Sequence, residues 1–353
     1  MSIVIEYNPD KASKESLRDF LISEGFIKCK YFLSPFPKGS LYLSWFDETD
    51  YKSLDGIEAV VYPKEENSKI SKWAIFTRSR VWASAYEKQK QNEVIKNARK
   101  LFGGNFYNDA AGSNRYTVID KSEFLLPQES GIFQVYERIK SQIFKLKAAV
   151  DDHKESGFEL LPGTHKDIVK MVNDNRPSLA LYNSLLPFLV SVLEHYFREL
   201  FTVLIEFDKT GHSRIQDLKL RELKEFNTIE DIYRIAQKED KIERLIAKGY
   251  NFQNLEIVTQ TFKKIFDIDI KRLLKTRKKI GTKTVMIFDE LEELIQRRHW
   301  MIHHFGFSTD VDKEKFIYFL NLTNVAIDLI TLELEKTKGF KIVNRSLYFG
   351  LGL

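Results

Sequence analysis

The run from Leu179 to Phe207 reads LALYNSLLPFLVSVLEHYFRELFTVLIEF and is the most apolar stretch of the chain. Whether it lies in lipid or in protein decides the architecture of everything after it. Asn183, Pro187, Glu194, His195, Arg198 and Glu199 interrupt it, and ionised or amide side chains are costly in a bilayer core. It is therefore expected as a long helix buried in protein, over Ser178 to Phe207, kinked or restarted at Pro187. No membrane association is expected.

Around this helix the spacing is helical. Phe133 to Val150 places Val135, Ile139, Ile143, Phe144 and Leu146 near one face. Ile229 to Lys248, Leu255 to Phe266, Asp289 to His303 and Phe316 to Lys336 are further predicted helices, the third carrying Leu291, Leu294, Ile295 and Ile302. Asp151 to Thr164 is polar, with two glycines and a proline, and is expected as a linker. Strand signals fade from about Gly131 onward, so this half is expected as an all-α antiparallel bundle.

The first part reads differently. Lys14 to Ser23 has helical spacing through Leu17, Phe20 and Leu21, with Gly25 as a stop. Leu41 to Phe46, Ala59 to Tyr62 and Lys72 to Thr77 are short β-branched or aromatic runs between turn residues, hence strands. A helix is expected over Val81 to Phe102, ended by Gly103-Gly104, then a returning strand over Asn114 to Ile119. This is an α+β pattern without the regular alternation of a doubly wound sheet. The expected organisation is an α+β domain over residues 1–130, a helix and linker over 131–174, and a helical domain over 175–353.

Composition bounds the chemistry. The 353 residues suffice for two buried cores, and the formal charge of +5 is a mild bias toward anionic partners. Cys29 is the only cysteine, which excludes an intrachain disulfide and a cysteine-built zinc site and fits a reducing cytosol. The N-terminal residues have neither a basic leader nor a long apolar core, so no signal peptide is expected.

The chemistry-bearing segment is Arg297-Arg298-His299-Trp300-Met301-Ile302-His303-His304-Phe305-Gly306. Three of the seven histidines fall between positions 299 and 304, directly after two arginines. Histidine both takes and gives a proton near neutral pH, and arginine grips phosphate through paired hydrogen bonds. Arg298, four intervening residues and His303 thus form a candidate phosphodiester-cleaving pair. Trp300, Met301 and Ile302 stand between the histidines, so the glutamate of a His-Glu-x-x-His zinc helix is absent and no metal site is expected.

This segment, followed by Gly306, by Asp310 and Asp312 and by a closing helix, resembles the HEPN superfamily. The resemblance covers roughly residues 175–337 and includes the charged island Leu193-Glu194-His195-Tyr196-Phe197-Arg198 on the apolar helix. It implies a metal-independent, cofactor-free endoribonuclease that drives a ribose 2′-hydroxyl onto the adjacent phosphate. His303 would be the general acid or base, and Arg298 would stabilise charge developing on the phosphate. His299 would orient or share that work, with Glu194, His304 and Arg297 in support.

On an ideal helix residues 299 and 303 share a face, whereas residues 298 and 303 lie about 140° apart. The family's answer to that separation is a homodimer with two motifs across one cleft, which is expected here. The resemblance also implies a cytoplasmic role in toxin–antitoxin or anti-phage abortive-infection defence, with an antitoxin or phage-derived trigger as further partner. The alternative implied is a non-catalytic HEPN-like dimer that binds protein or nucleic acid.

Plainer readings stand beside these. His303 and His304 could cap a helix C-terminus, Glu194 and Arg198 could be a helix-face ion pair, and His195 is expected as a satisfied core histidine. Arg297 is read as a solvated or substrate-funnel charge. Lys275, Arg277, Lys278 and Lys279 lie in a basic stretch, either a rim for RNA or a solvated face. The segment Gly103 to Tyr116 is read as a turn packed by aromatics.

Overall fold

The computed structural model describes residues 2–30, 36–66, 69–154, 165–168, 176–208, 211, 213–214, 237, 241–304 and 306–348. The chain divides into two compact units, Met1–Ser130 and Gly131–Leu353.

The first unit is an antiparallel sheet with two helices. Its elements are β1 (Ser2–Asn8), α1 (Lys14–Ser23), β2 (Ile27–Lys28), β3 (Leu41–Trp45), β4 (Ile57–Glu66), β5 (Lys69–Arg80), α2 (Ala85–Phe102), β6 (Asn105–Asn108) and β7 (Gly112–Ser113). The strands lie in the order β2-β3-β4-β5-β1-β6-β7. β1 alternates, burying Ile3, Ile5 and Tyr7, as a strand with one face in a core must. Ile5 and Tyr7 join Leu17 and Leu21 of α1, Val61 and Ile75 of the sheet, and Val94, Ile95 and Ala98 of α2.

Helix α2 starts at Ser84, later than the hydrophobic spacing predicts, because Ser84 and Glu87 close a reciprocal capping box. Glu87 is fully buried and accepts from the backbone N–H of Leu54, Asp55 and Gly56 as well as Ser84.

Two segments of this unit differ from expectation. Asn114 to Ile119 is not a strand. The Thr117 backbone is satisfied by the Asn92 side chain, which accepts from its N–H at 3.0 Å and donates to its carbonyl at 2.8 Å. A helix side chain has thus taken the place of a neighbouring strand. Asn105–Asn108, by contrast, is a strand on β1 and not only a turn. Gly104 (φ +84°) makes the return from α2 possible, since a Cβ there would lie 2.1 Å from the Asn8 carbonyl oxygen.

The second unit is mainly helical: α3 (Pro127–Asp151, whose first turn precedes the division), α4 (Pro177–Phe207), α5 (Ile242–Lys248), α6 (Leu255–Phe266), α7 (Ile270–Leu274), α8 (Ile287–His304) and α9 (Lys313–Lys338). α4 is a single 31-residue element that carries Pro187 within it rather than restarting there. Leu186, Leu189, Val190, Leu193, Phe197, Leu200, Phe201 and Leu204 are buried along it. Phe201 meets Phe262 and Phe266 of α6 at 5.9 and 5.3 Å between ring centroids, near edge-on. Tyr196 shares a buried hydroxyl hydrogen bond of 3.0 Å with Thr331 of α9.

Among the described residues one helix, α9, is long and apolar enough to cross a membrane, and 56% of its most apolar window is buried inside the protein. The expected linker lies outside the described residues from 155 to 164. So does most of the expected helix before α5, at 229–236 and 238–240.

The second unit is not wholly helical. Arg277–Ile280 (β8) and Lys283–Met286 (β9) pair as an antiparallel hairpin around Gly281 and Thr282. Gly281 at φ +59° supplies the left-handed conformation such a short turn requires. Ile280 is the buried residue of β8, while its cations are exposed. Because those cations occupy both strand faces, the period-2 hydrophobic signal was absent.

Candidate functional site

The motif occupies the C-terminal half of α8, whose first turn holds Asp289 and Glu290 and whose last turn holds His303 and His304. The acidic first turn carries the sign of charge that the helix dipole favours. α4 and α9 both pack against α8, with Glu194 of α4 reaching Arg298 and Lys315 of α9 reaching Glu293.

Arg298 points inward. Its side chain is only 15% exposed, and Nη2 lies 3.8 Å from Oε1 of Glu194 on α4, itself 13% exposed. That distance makes an ion pair but not a hydrogen bond. Arg298 Nε and Glu194 Oε1 are buried without hydrogen-bond partners. The guanidinium is thus held by charge, with donor capacity that its neighbours leave unused. Glu194 is turned to Arg298 across the helix packing, and Arg198 is exposed; the expected Glu194–Arg198 helix-face pair gives way to a contact between elements.

His299 and His303 share a face as their spacing predicts, with rings stacked at 6.4 Å and 20°. His303 is exposed and His299 half-buried. Among the described residues no hydrogen bond joins Arg298 to either ring. The structure brings together His299 with His303, and Arg298 with Glu194, as two separate pairs.

Arg297 is engaged within the protein rather than left to solvent. Its Nε donates to Glu293 at 2.8 Å, and Nη1 and Nη2 reach the two oxygens of Asp310 at 2.9 and 2.8 Å. This is a bidentate grip on the loop after α8. The Arg297 hydrogen bond holds the Asp310 carboxyl below its ordinary range. Glu293 is also held low: burial pushes it up, and Arg297 and Lys315 outweigh that. Asp312 caps α9 by accepting from the Lys315 N–H.

His304 is a capping residue. Its Nδ1 meets the Trp300 carbonyl oxygen at 3.0 Å, and its ring stacks on Trp300 at 5.5 Å. His195 is not a core histidine: its side chain is 41% exposed, with Nδ1 3.9 Å from Glu199.

Sequence reasoning missed Asn183. It is fully buried on α4, accepts from the Ser308 N–H at 2.8 Å and donates to the Ser308 carbonyl at 3.0 Å. This fastens the loop after the motif to the long helix. The signal was present, since an asparagine inside an apolar run must find partners if buried. Gly306 packs against the Trp300 indole, where a Cβ would lie 2.8 Å from the ring.

Lys275, Arg277, Lys278 and Lys279 are all exposed, on the hairpin and its approach. Among the described residues no group of three or more His, Cys, Asp or Glu is disposed to hold a metal ion. Comparison with protein-family models, with curated proteins and with solved structures finds no match to this chain.

Proposed function

We infer that the protein is a metal-independent endoribonuclease of HEPN type, acting in the cytoplasm in toxin–antitoxin or anti-phage abortive-infection defence. The observation that carries this reading is the end of α8, where a charge-held arginine with unused donors lies on the same helix end as two stacked histidines, of which His303 is exposed. An imidazole open to solvent can take the 2′-hydroxyl proton or return one to the leaving 5′-oxygen. A guanidinium oriented by a buried carboxylate is preorganised for charge that grows on a phosphate.

Because Arg298 faces inward and His303 outward, a complete site draws on two copies of α8. The homodimer belongs to this proposal, as does an antitoxin or trigger that controls it. Arg298 and His303 act on the phosphodiester, His299 steadies or shares the proton with His303, Glu194 positions Arg298, and Arg297 and Asn183 hold the adjoining loop.

The test is incubation of the purified protein with total RNA in EDTA, beside Arg298→Ala and His303→Ala. Cleavage by the unaltered protein alone, leaving 2′,3′-cyclic phosphate ends, is expected. His303 is exposed, so its substitution leaves the fold intact, and cleavage retained by that variant would refute the mechanism. Absence of cleavage by all three, with RNA still bound, would favour the non-catalytic binding module. That reading draws on the engagement of Arg298 by Glu194.

A further inference from the structure

We propose that the β8–β9 hairpin is an anchoring arm for single-stranded RNA, holding a strand that runs along one face of α8 to the histidine pair. The proposal rests on the nuclease reading for the identity of the polyanion, and on the structure for the path.

β9 ends at Met286 and α8 begins at Ile287, so the arm is continuous with the helix that carries the motif. Arg277, Lys278 and Lys279 are exposed, and none of them forms an ion pair among the described residues. The strand register puts Arg277 and Lys279 on one face of the ribbon, and Lys278 and Lys283 on the other beside buried Ile280. A ribbon with cations on both faces and its apolar anchor near the tip is built to offer charge, not to bury area.

The base of the arm lies over the start of α8. Lys275, which is exposed, and Lys271, which pairs with Glu256 at 2.6 Å, place their ammonium groups 5.9 and 5.5 Å from the Phe288 ring centroid. Advancing 100° per residue from Phe288, Ile295 falls about 20° to one side, His299 about 20° to the other and His303 about 60° away. The cations at the base and the histidines at the far end therefore share one stripe of α8, with Phe288 and His303 about 22 Å apart along the axis. Arg298 lies off the stripe, toward Glu194.

That separation exceeds the reach of one phosphodiester, so a ligand that touches both ends must be a strand of about four or more nucleotides. Glu292 also lies on the stripe and repels a strand between the cations of the arm and the histidines. A single strand can bow away from the carboxylate, which a stiff duplex cannot.

The experiment measures binding, not cleavage, in the full-length protein carrying His303→Ala. Anisotropy of a labelled single-stranded RNA of about 16 nucleotides is titrated over a range of salt, with and without Arg277→Gln, Lys278→Gln and Lys279→Gln together. These side chains are exposed, and a thermal melt confirms the fold. Loss of the three cations is expected to weaken binding at least tenfold and to flatten the dependence of log affinity on log salt by about 2. A control neutralises exposed Lys11, Lys96 and Lys100 of the first unit and is expected to leave both values nearly unchanged.

Equal affinity with and without the arm's cations, or an equal loss in the control, overturns the proposal. So does a loss of binding to phosphatidylserine vesicles with RNA affinity unaltered, which would assign the arm to a membrane surface. Strong binding that depends on the arm, in a protein that cleaves no RNA, upholds the arm and refutes only the nuclease reading.

Discussion

Arg298 is where cost and use meet. A guanidinium this far from water needs its countercharge, and removing one partner of a largely buried pair typically costs about 3–5 kcal/mol. Here the pair is 3.8 Å apart and each side chain is about one-seventh exposed, which trims the expected cost of Glu194→Ala to about 2–4 kcal/mol. Replacing both partners together, Glu194→Leu with Arg298→Met, removes both desolvation penalties and is expected to leave stability within about 1 kcal/mol of the unaltered protein. Urea midpoints of the two single variants and the double variant measure this. A double variant as unstable as the singles would show that the pair is not what organises this packing. The same double variant, if folded, is expected to cleave no RNA.

At the scale of elements, the loop between α8 and α9 is held from two sides. Arg297 grips Asp310 from α8, and Asn183 grips the Ser308 backbone from α4. The two holds respond differently to acid. Asp310 and Glu293 titrate below their ordinary range in the folded protein. Their contribution to stability is therefore complete above the unfolded carboxylate pKa and is lost as pH falls through the lower folded values. The amide of Asn183 has no such dependence. Hydrogen exchange in the 308–312 segment is expected to accelerate below the usual carboxylate range, before global unfolding, with the Ser308 amide the last to lose protection. Simultaneous loss at every amide of the loop would contradict two independent holds. Arg297→Gln should bring the acid-pH exchange pattern up to neutral pH.

For the whole molecule, the proposed two-copy site would make oligomeric state part of the chemistry. The motif end of α8 exposes Trp300 at 46% and Ile302 at 44%, and the following loop exposes Phe307 at 59%. Large apolar groups gathered beside catalytic candidates are what a second copy would cover. Light scattering at micromolar concentration is expected to give the mass of a dimer, and Ile302→Asp with Phe307→Asp a monomer that no longer cleaves although Arg298 and His303 are intact. Cleavage by a proven monomer would show that one chain completes the site.

Much of this architecture was written in local pattern. Lys14–Ser23 and Leu255–Phe266 are helices over the very residues their spacing marks, because apolar periodicity and end signals are properties of consecutive residues. The charges along Leu179 to Phe207 likewise marked it as a protein-buried helix. His299 beside His303 followed from helical spacing alone. Other features depend on partners distant in sequence. In the irregular Asn114 to Ile119 segment Asn92 took the backbone hydrogen bonds of Thr117, and Asn105–Asn108 became a strand because β1 offered an edge. Glu194 and Arg198 had equal claim to pair by spacing, but the packing of α4 against α8 gave Glu194 to Arg298. Arg297 and Arg298 are neighbours of one type in one motif, and a rotation of 100° sent one to the loop and the other to the interior. The sequence by itself marked most of the helices and the residues that are candidates for chemistry. Only the tertiary structure decided which charge meets which, because an ion pair or a backbone hydrogen bond between elements depends on how their faces pack.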